Sequence, residues 1–138
     1  MTFHRAALIA LATLSTFVPI YASAEEVLAT AGTITYEEIL AQYADADSKF
    51  VVLEGADGIR LHYKDQGSGP AILLIHSSFG DLKDWDPWVA VLSRNYRVVR
   101  LDLPAFGLTG PVPSGNYSID RYLTLVDALM DHLGIERF

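Results

Sequence analysis

Hydrophobic and polar residues alternate in the first half of the chain. A short apolar run at 50–53 is followed, after a connection with two glycines at 54–58, by an alternating stretch in which Ile59, Leu61 and Tyr63 are separated by Arg60, His62 and Lys64. A period of two residues is typical of a strand with one buried and one solvated face, and the glycine-containing connection suits a hairpin. The pattern therefore predicts two antiparallel strands, with His62 as a solvated surface side chain.

After residue 70 the pattern becomes that of an α/β protein. The apolar run at 71–75 is typical of a strand covered on both faces, and residues 96–101 form another predicted strand. Helical spacing lies between and after them, first in Leu82, Trp85, Val89 and Leu92, and then in Ile119, Tyr122, Leu123, Val126, Met130 and Leu133. Ser118 is expected to cap the second helix and Gly134 to end it, and residues 135–138 look like the entry to a further strand. This order predicts an α/β fold with a doubly wound, mostly parallel sheet.

The first 48 residues are expected to precede the main domain, and the helix within them to dock on that domain, with a functional lid as the alternative. Residues 6–20 are apolar and uncharged, Arg5 precedes them, and three small residues follow at 22–24. This is the pattern of a signal peptide, so we expect cleavage after residue 24 and export to the periplasm or medium. The alternative is an uncleaved membrane anchor, which would need roughly 20 apolar residues. Residues 25–48 form an acidic extension with one helix, in which Thr35 and Glu38 have capping-box spacing, and residues 49–138 form the main domain.

Composition narrows the range of partners. With 138 residues, of which 51% are hydrophobic and 20% charged, the chain has the character of one globular domain. The net charge of -7, with the basic residues scattered, argues against nucleic acid as a partner. The absence of cysteine excludes disulfides and thiolate metal sites. We expect a small-molecule substrate, no cofactor, no metal and no stable membrane insertion after signal cleavage.

The two loops that follow the predicted parallel strands carry the candidate chemistry. They span residues 76–81 and 102–107 and are rich in His, Ser, Asp, Pro and Gly. In open α/β sheets the binding site lies beyond the carboxyl ends of the strands. The sequence therefore predicts that these two loops border a site.

Residues 58–138 resemble the α/β-hydrolase superfamily, in its esterase, lipase and C–C hydrolase-like branch. The resemblance lies in four pieces that follow the family's order, namely the strand and Gly-x-Gly-Pro loop at 58–70, the strand and His-containing loop at 73–78, the turn at 102–107 that is similar to Asp-x-Pro-Gly-x-Gly, and the helix at 118–134. In the family this helix leads into the nucleophile strand. The resemblance thus implies the N-terminal portion of an α/β-hydrolase sheet, and we expect the chain to stop just before the nucleophile elbow.

The activity that this resemblance implies is acyl transfer. A serine on a Gly-x-Ser-x-Gly elbow attacks a carbonyl, a histidine removes its proton, and an acid orients the histidine. One of the two N–H groups that hold the resulting oxyanion comes from the loop after the third strand. By correspondence with the family motif, this donor is the main-chain N–H of Ser78. His76 is expected to support the loop and Asp102 to fix the following turn, rather than to act as base and acid.

Two residues depart from the family pattern. Ser77 stands where the family has glycine, so the main-chain N–H groups of Ser77 and Phe79 are alternate oxyanion donors. Ala105 also replaces a glycine, and its backbone is therefore expected either to avoid a positive φ or to bear strain.

The nucleophile is not found in the chain. No serine has glycines two positions before and two positions after it, so nucleophile, base and acid are all missing and the chain as given is expected to be inactive. We expect an exported serine hydrolase that acts on esters or related small carbonyl compounds. An aspartate nucleophile, as in a dehalogenase or epoxide hydrolase, and a non-catalytic binding domain of the same fold are the alternatives. The residue at the elbow distinguishes the first two.

Overall fold

The computed structural model describes residues 32, 34–55 and 57–138 of a chain that divides into two compact units, Met1–Thr33 and Ile34–Phe138. Every helix and strand among these residues belongs to the second unit. The predicted signal peptide at 1–24 and the first part of the acidic extension lie outside the described residues. Among the residues described, no helix combines the length and the hydrophobicity needed to cross a bilayer.

The secondary structure follows the predicted order. The elements are α1 (Tyr36–Tyr43), β1 (Lys49–Val52), β2 (Arg60–Gly67), β3 (Ala71–Ile75), a 3-10 turn (Leu82–Trp85), α2 (Asp86–Leu92), β4 (Arg97–Leu101) and α3 (Ile119–His132). The predicted capping box of α1 is confirmed, because the Glu38 N–H donates to the Thr35 side chain while the Glu38 carboxylate accepts from the Thr35 N–H. The Ser118 hydroxyl likewise accepts from the Arg121 N–H at the start of α3. Residues 135–138 form no strand.

The four strands form one mixed sheet in the order β1-β2-β4-β3. β1 and β2 are antiparallel, as the hairpin pattern predicted, and β2 is also antiparallel to β4. β3 and β4 are parallel, with α2 in the connection between them. The α/β fold class is confirmed. The hairpin makes the described part of the sheet mixed, and the parallel pairing is found at β3 and β4.

One face of the sheet packs on α3 and forms the apolar core. Its buried residues come from the loops as well as from β2, β4 and α3, and include Leu61, Tyr63, Val99, Leu101, Leu125, Val126, Leu129 and Met130. The predicted apolar stripe of α3 is only partly correct, because Ile119 and Leu123 are 70% and 56% exposed. Leu125 and Leu129 also have helical spacing, and these two residues are buried in the core instead.

The other face of the sheet is buried although it is polar. His62 and Lys64 of β2 and Arg100 of β4 are only 1–2% exposed. The prediction of a solvated His62 is therefore wrong. The segments around α1 and α2 cover this face and supply acidic partners: Asp45 for Lys64, and Asp86 for Arg100 at 2.5 Å. Buried charges are tolerated when they are paired in this way.

Candidate active site

The parallel pairing of β3 and β4 brings the two candidate loops together. Ile75 and Leu101, the last residues of these strands, are register partners. The loops that follow, His76–Asp81 and Asp102–Leu108, therefore leave the sheet side by side, and we refer to them together as the candidate edge. This is the edge at which the sequence predicted a site.

His76 joins the two loops of the candidate edge. Its Nε2 accepts a hydrogen bond of 3.0 Å from the Leu103 N–H, and its Nδ1 lies 2.8 Å from the Ser77 carbonyl oxygen. Because Nε2 is an acceptor, the ring proton lies on Nδ1, which donates to Ser77. The ring is 5% exposed and packs at a tilt against Phe106, with 5.2 Å between the ring centres. Both nitrogens are thus occupied by the loops, which fits a supporting role and not that of a catalytic base.

The predicted oxyanion donors lie in a tight turn directly after His76. The Gly80 N–H donates to the Ser77 carbonyl at 3.1 Å, and Phe79 has a φ of 72°. This is the geometry of a type II turn with Ser78 at its second position. Ser77, Ser78 and Phe79 are all exposed, and within the described residues their main-chain N–H groups donate to no protein acceptor. The turn therefore holds three amides that are free to meet a ligand.

There is open space beside this turn. A cleft of about 240 Å³ is lined by His76, Ser77, Asp84 and Trp85. Of the three residues with free amides, Ser77 lines this cleft, and the exposed Ser78 and Phe79 follow it in the same turn.

Asp102 fixes the start of the second loop. Its carboxylate is buried and accepts from the Leu82 N–H at 2.8 Å, from the Leu108 N–H at 2.8 Å and from His62 Nδ1 at 2.7 Å. Burial by itself raises the pKa of Asp102, but the hydrogen bonds from His62 and the two amides outweigh it and hold the pKa below its usual range. The carboxylate is therefore ionised and ties both loops together, and its predicted role in fixing the turn is confirmed.

The turn after Asp102 has an unusual backbone. Ala105 has a φ of 67° and Gly107 a φ of 48°, both in the left-handed region. Of the two expectations for Ala105, the second is therefore correct: its backbone adopts a positive φ and bears strain of about 1–2 kcal/mol. Gly107 is required for a second reason: a Cβ at this position would lie 2.1 Å from Oδ2 of Asp102. The missing side chain makes room for the buried carboxylate.

Helix α1 also reaches the candidate edge. The Tyr36 hydroxyl donates to the Leu108 carbonyl at 2.7 Å, and Lys83 Nζ donates to the Tyr43 carbonyl at 2.6 Å. The helix therefore contacts the end of the second loop through Tyr36 and the 3-10 turn that follows the first loop through Tyr43. A cleft of about 200 Å³ is found here, lined among others by Ile39, Tyr43 and Leu108.

The structure brings together three residues that the sequence did not connect. Ser48 Oγ lies 3.0 Å from His62 Nε2, and His62 Nδ1 lies 2.7 Å from Asp102 Oδ2. The ionised Asp102 requires a proton on Nδ1, and Nε2 faces the Ser48 hydroxyl, which also lies 3.4 Å from Oδ1 of Asp45. These are the contacts of a Ser-His-Asp triad, but His62 is 1% exposed and could not protonate a leaving group. No local pattern could have revealed the arrangement, since the partners are 14 and 40 residues apart.

Several known proteins with similar sequences are hydrolases. The family model for the α/β hydrolase fold matches residues 70–138. The chain is 33% identical over 79 residues to haloalkane dehalogenase 2 of Mycobacterium tuberculosis, which covers 57% of this chain and 28% of that protein. It is 32% identical over 111 residues to the 2-hydroxy-6-oxononadienedioate/2-hydroxy-6-oxononatrienedioate hydrolase of Paraburkholderia phymatum, with coverages of 76% and 36%.

Solved structures give the same result. The enol-lactonase of Burkholderia xenovorans is 35% identical with a TM-score of 0.58, over 64% of this chain and 34% of that one. An epoxide hydrolase of Vigna radiata is 31% identical with a TM-score of 0.57, over 64% and 28%. This chain thus spans about a third of the length of the proteins it matches. Its sequence from 70 to 138, its mixed sheet and its paired loops show that the chain belongs to the α/β hydrolase fold family.

Proposed function

We propose that this chain forms the N-terminal part of an exported serine hydrolase that acts on esters or related small carbonyl compounds. The observation that carries the proposal is the turn at 77–80, which lies at the carboxyl end of β3. The main-chain N–H groups of residues 77–79 are exposed and have no acceptor in the part of the chain that the structure describes, and Ser77 lines an open cleft. In this proposal the N–H of Ser78 is the oxyanion donor, with Ser77 and Phe79 as the alternates.

Ester hydrolysis needs hydrogen-bond donors of this kind. Attack on a carbonyl carbon moves negative charge onto the carbonyl oxygen, and a fixed N–H donor stabilises that charge more than it stabilises the neutral ground state. His76 holds the donor loop against the backbone of the next loop, so little reorganisation is needed during the reaction. The nucleophile, base and acid are assigned to the part of the hydrolase domain that lies outside this chain.

A second candidate is the same fold with an aspartate nucleophile. The similarity to a haloalkane dehalogenase and to an epoxide hydrolase favours it. Such an enzyme forms an ester with its own aspartate, and the hydrolysis of that ester also passes through an oxyanion. The free amides of the turn therefore serve both candidates, and the nucleophile distinguishes them.

The oxyanion donor can be tested by removing the amide and keeping the turn. Proline is favoured at the second position of a type II turn and has no N–H, so Ser78→Pro deletes the donor at a compatible position. In the complete polypeptide we expect kcat for a nitrophenyl ester to fall about 10²–10³-fold. Ser78→Ala keeps the N–H and is the matched control, with kcat close to wild type. Equal rates for the two variants, at equal stability, would assign the donor elsewhere.

The nucleophile can be tested by covalent labelling. A fluorophosphonate phosphorylates an activated serine and does not label an aspartate nucleophile. Stoichiometric labelling of the complete polypeptide supports the serine proposal. Absence of labelling together with turnover of a haloalkane or an epoxide would replace it with the aspartate candidate.

Export is supported by the N-terminal sequence alone. An uncharged apolar segment at 6–20 and small residues at 22–24 are what a signal peptidase requires. We expect the mature protein recovered from the periplasm or medium to begin at Glu25. Exported protein that still begins at Met1 in intact mass spectrometry would contradict cleavage.

A further inference from the structure

We propose that Ser48 and His62 are positioning residues for the reaction, which act through Asp102 on both loops of the candidate edge. The inference rests on the proposed function, because it concerns where the oxyanion donors are held. We call the hydrogen-bonded chain Ser48–His62–Asp102 the relay.

The end of the relay at Asp102 acts on the loops directly. The Leu82 N–H, which it binds through Oδ1, lies two residues after the turn at 77–80. The Leu108 N–H, which it binds through Oδ2, ends the second loop. A displacement of the carboxylate therefore moves the ends of both loops at once. A shift of about 1 Å in a catalytic group can cost ~10²-fold in rate.

His62 determines where that carboxylate lies. Its ring is buried, and Nδ1 is 2.7 Å from Oδ2 of Asp102, the same oxygen that accepts from Leu108. Its main chain is fixed as well, because its N–H donates to the Thr109 hydroxyl at 2.9 Å and its carbonyl accepts from the Asp102 N–H at 3.0 Å. His62 thus links strand β2 to the second loop through both backbone and side chain.

Ser48 and the stacked ring of Phe50, with 4.8 Å between the ring centres, both restrict rotation of the imidazole. Rotation of the ring about its bond to Cβ would break the contact with Asp102, and the Ser48 hydroxyl at 3.0 Å from Nε2 opposes it. The hydroxyl is itself held, since the Asp45 N–H donates to it at 3.1 Å. The segment between α1 and β1 therefore contributes to the geometry of loops that are distant in sequence.

The test compares variants along the relay with a matched change elsewhere on the same strands. Asp65→Asn is the control, because Asp65 pairs with Arg97 on the same two strands at the end away from the candidate edge. In the complete polypeptide, Ser48→Ala is expected to lower kcat about tenfold or more with little change in KM. Ser48→Thr keeps the hydroxyl and should restore most of the rate. Asp65→Asn should leave kcat within about twofold at a similar loss of stability.

Replacement of the histidine gives a second, graded readout. His62→Asn keeps an N–H near the position of Nδ1, whereas His62→Phe removes both contacts, so kcat should fall less in the asparagine variant. Hydrogen exchange should be faster at the amides of Leu82 and Leu108 in Ser48→Ala than in Asp65→Asn. Hydrogen exchange needs no substrate, so it tests the relay even if the wild type hydrolyses no ester. Failure of the wild type to hydrolyse an ester would refute the proposed function but not the relay. Equal exchange and equal kcat in Ser48→Ala and Asp65→Asn would overturn the relay.

Discussion

Gly107→Ala tests the packing of the candidate edge at its tightest point. The new Cβ would lie 2.1 Å from Oδ2 and 2.3 Å from Cγ of Asp102, far inside van der Waals contact. The carboxylate cannot move aside without losing its bonds to His62, Leu82 and Leu108. Disrupting a buried ionic network costs about 3–5 kcal/mol, and alanine at a positive φ adds about 1–2 kcal/mol. We therefore expect the free energy of unfolding to fall by about 4–7 kcal/mol, a large part of the stability of an ordinary domain.

Gly115→Ala provides the matched control for this variant. Gly115 also has a positive φ, of 70°, but a Cβ there would meet nothing within 4 Å. The free energy of unfolding of Gly115→Ala should therefore fall only by the cost of backbone strain, about 1–2 kcal/mol. Urea denaturation followed by tryptophan fluorescence measures both variants. In an Asp102→Ala background, Gly107→Ala should cost no more than Gly115→Ala, because the clash has been removed. Losses for Gly107→Ala and Gly115→Ala that agree within about 1 kcal/mol in the wild-type background would refute the packing argument.

Two further predictions concern backbone strain and acid stability. Ala105→Gly should raise the free energy of unfolding by about 0.5–1 kcal/mol. Relief of the strain at a φ of 67° exceeds the cost of the entropy that glycine adds to the unfolded chain. A lower denaturation midpoint for Ala105→Gly would contradict this prediction. The hydrogen bond from Arg97 holds the pKa of Asp65 below its usual range, so its contribution to stability is complete above a pH of about 4 and is lost as the pH falls through the folded-state pKa. In urea titrations at decreasing pH, Asp65→Asn should therefore lose less stability than wild type, and parallel curves would exclude this contribution.

Much of the local structure followed from the sequence. The capping box at Thr35 and Glu38, the hairpin, the apolar strand at 71–75 and the capped helix after Ser118 are all present. These features depend on residues that are close in sequence, so their physical causes can be read directly from the order of the residues. The position of the candidate edge was also predictable, because loops at the carboxyl ends of neighbouring parallel strands must lie together.

The role of the polar face of β2 was not predictable in this way. Alternation shows that the two faces of a strand differ, but it does not show whether the polar face meets solvent or another part of the chain. His62 and Lys64 are buried because the segments around α1 and α2 fold over them. The same limitation affected α3, because helical spacing did not show that Leu125 and Leu129 would be buried while Ile119 and Leu123 stayed exposed.

The sequence by itself determined the fold class, the local caps and turns, and the loop that carries the candidate oxyanion donors. Only the tertiary structure decided that Asp102 binds both loops, that His62 holds it in place, and that Ser48 completes the relay. The physical reason is distance along the chain. A hydrogen bond between residues 14 or 40 positions apart leaves no periodic mark in the sequence, and it forms only when the sheet has brought the strands together.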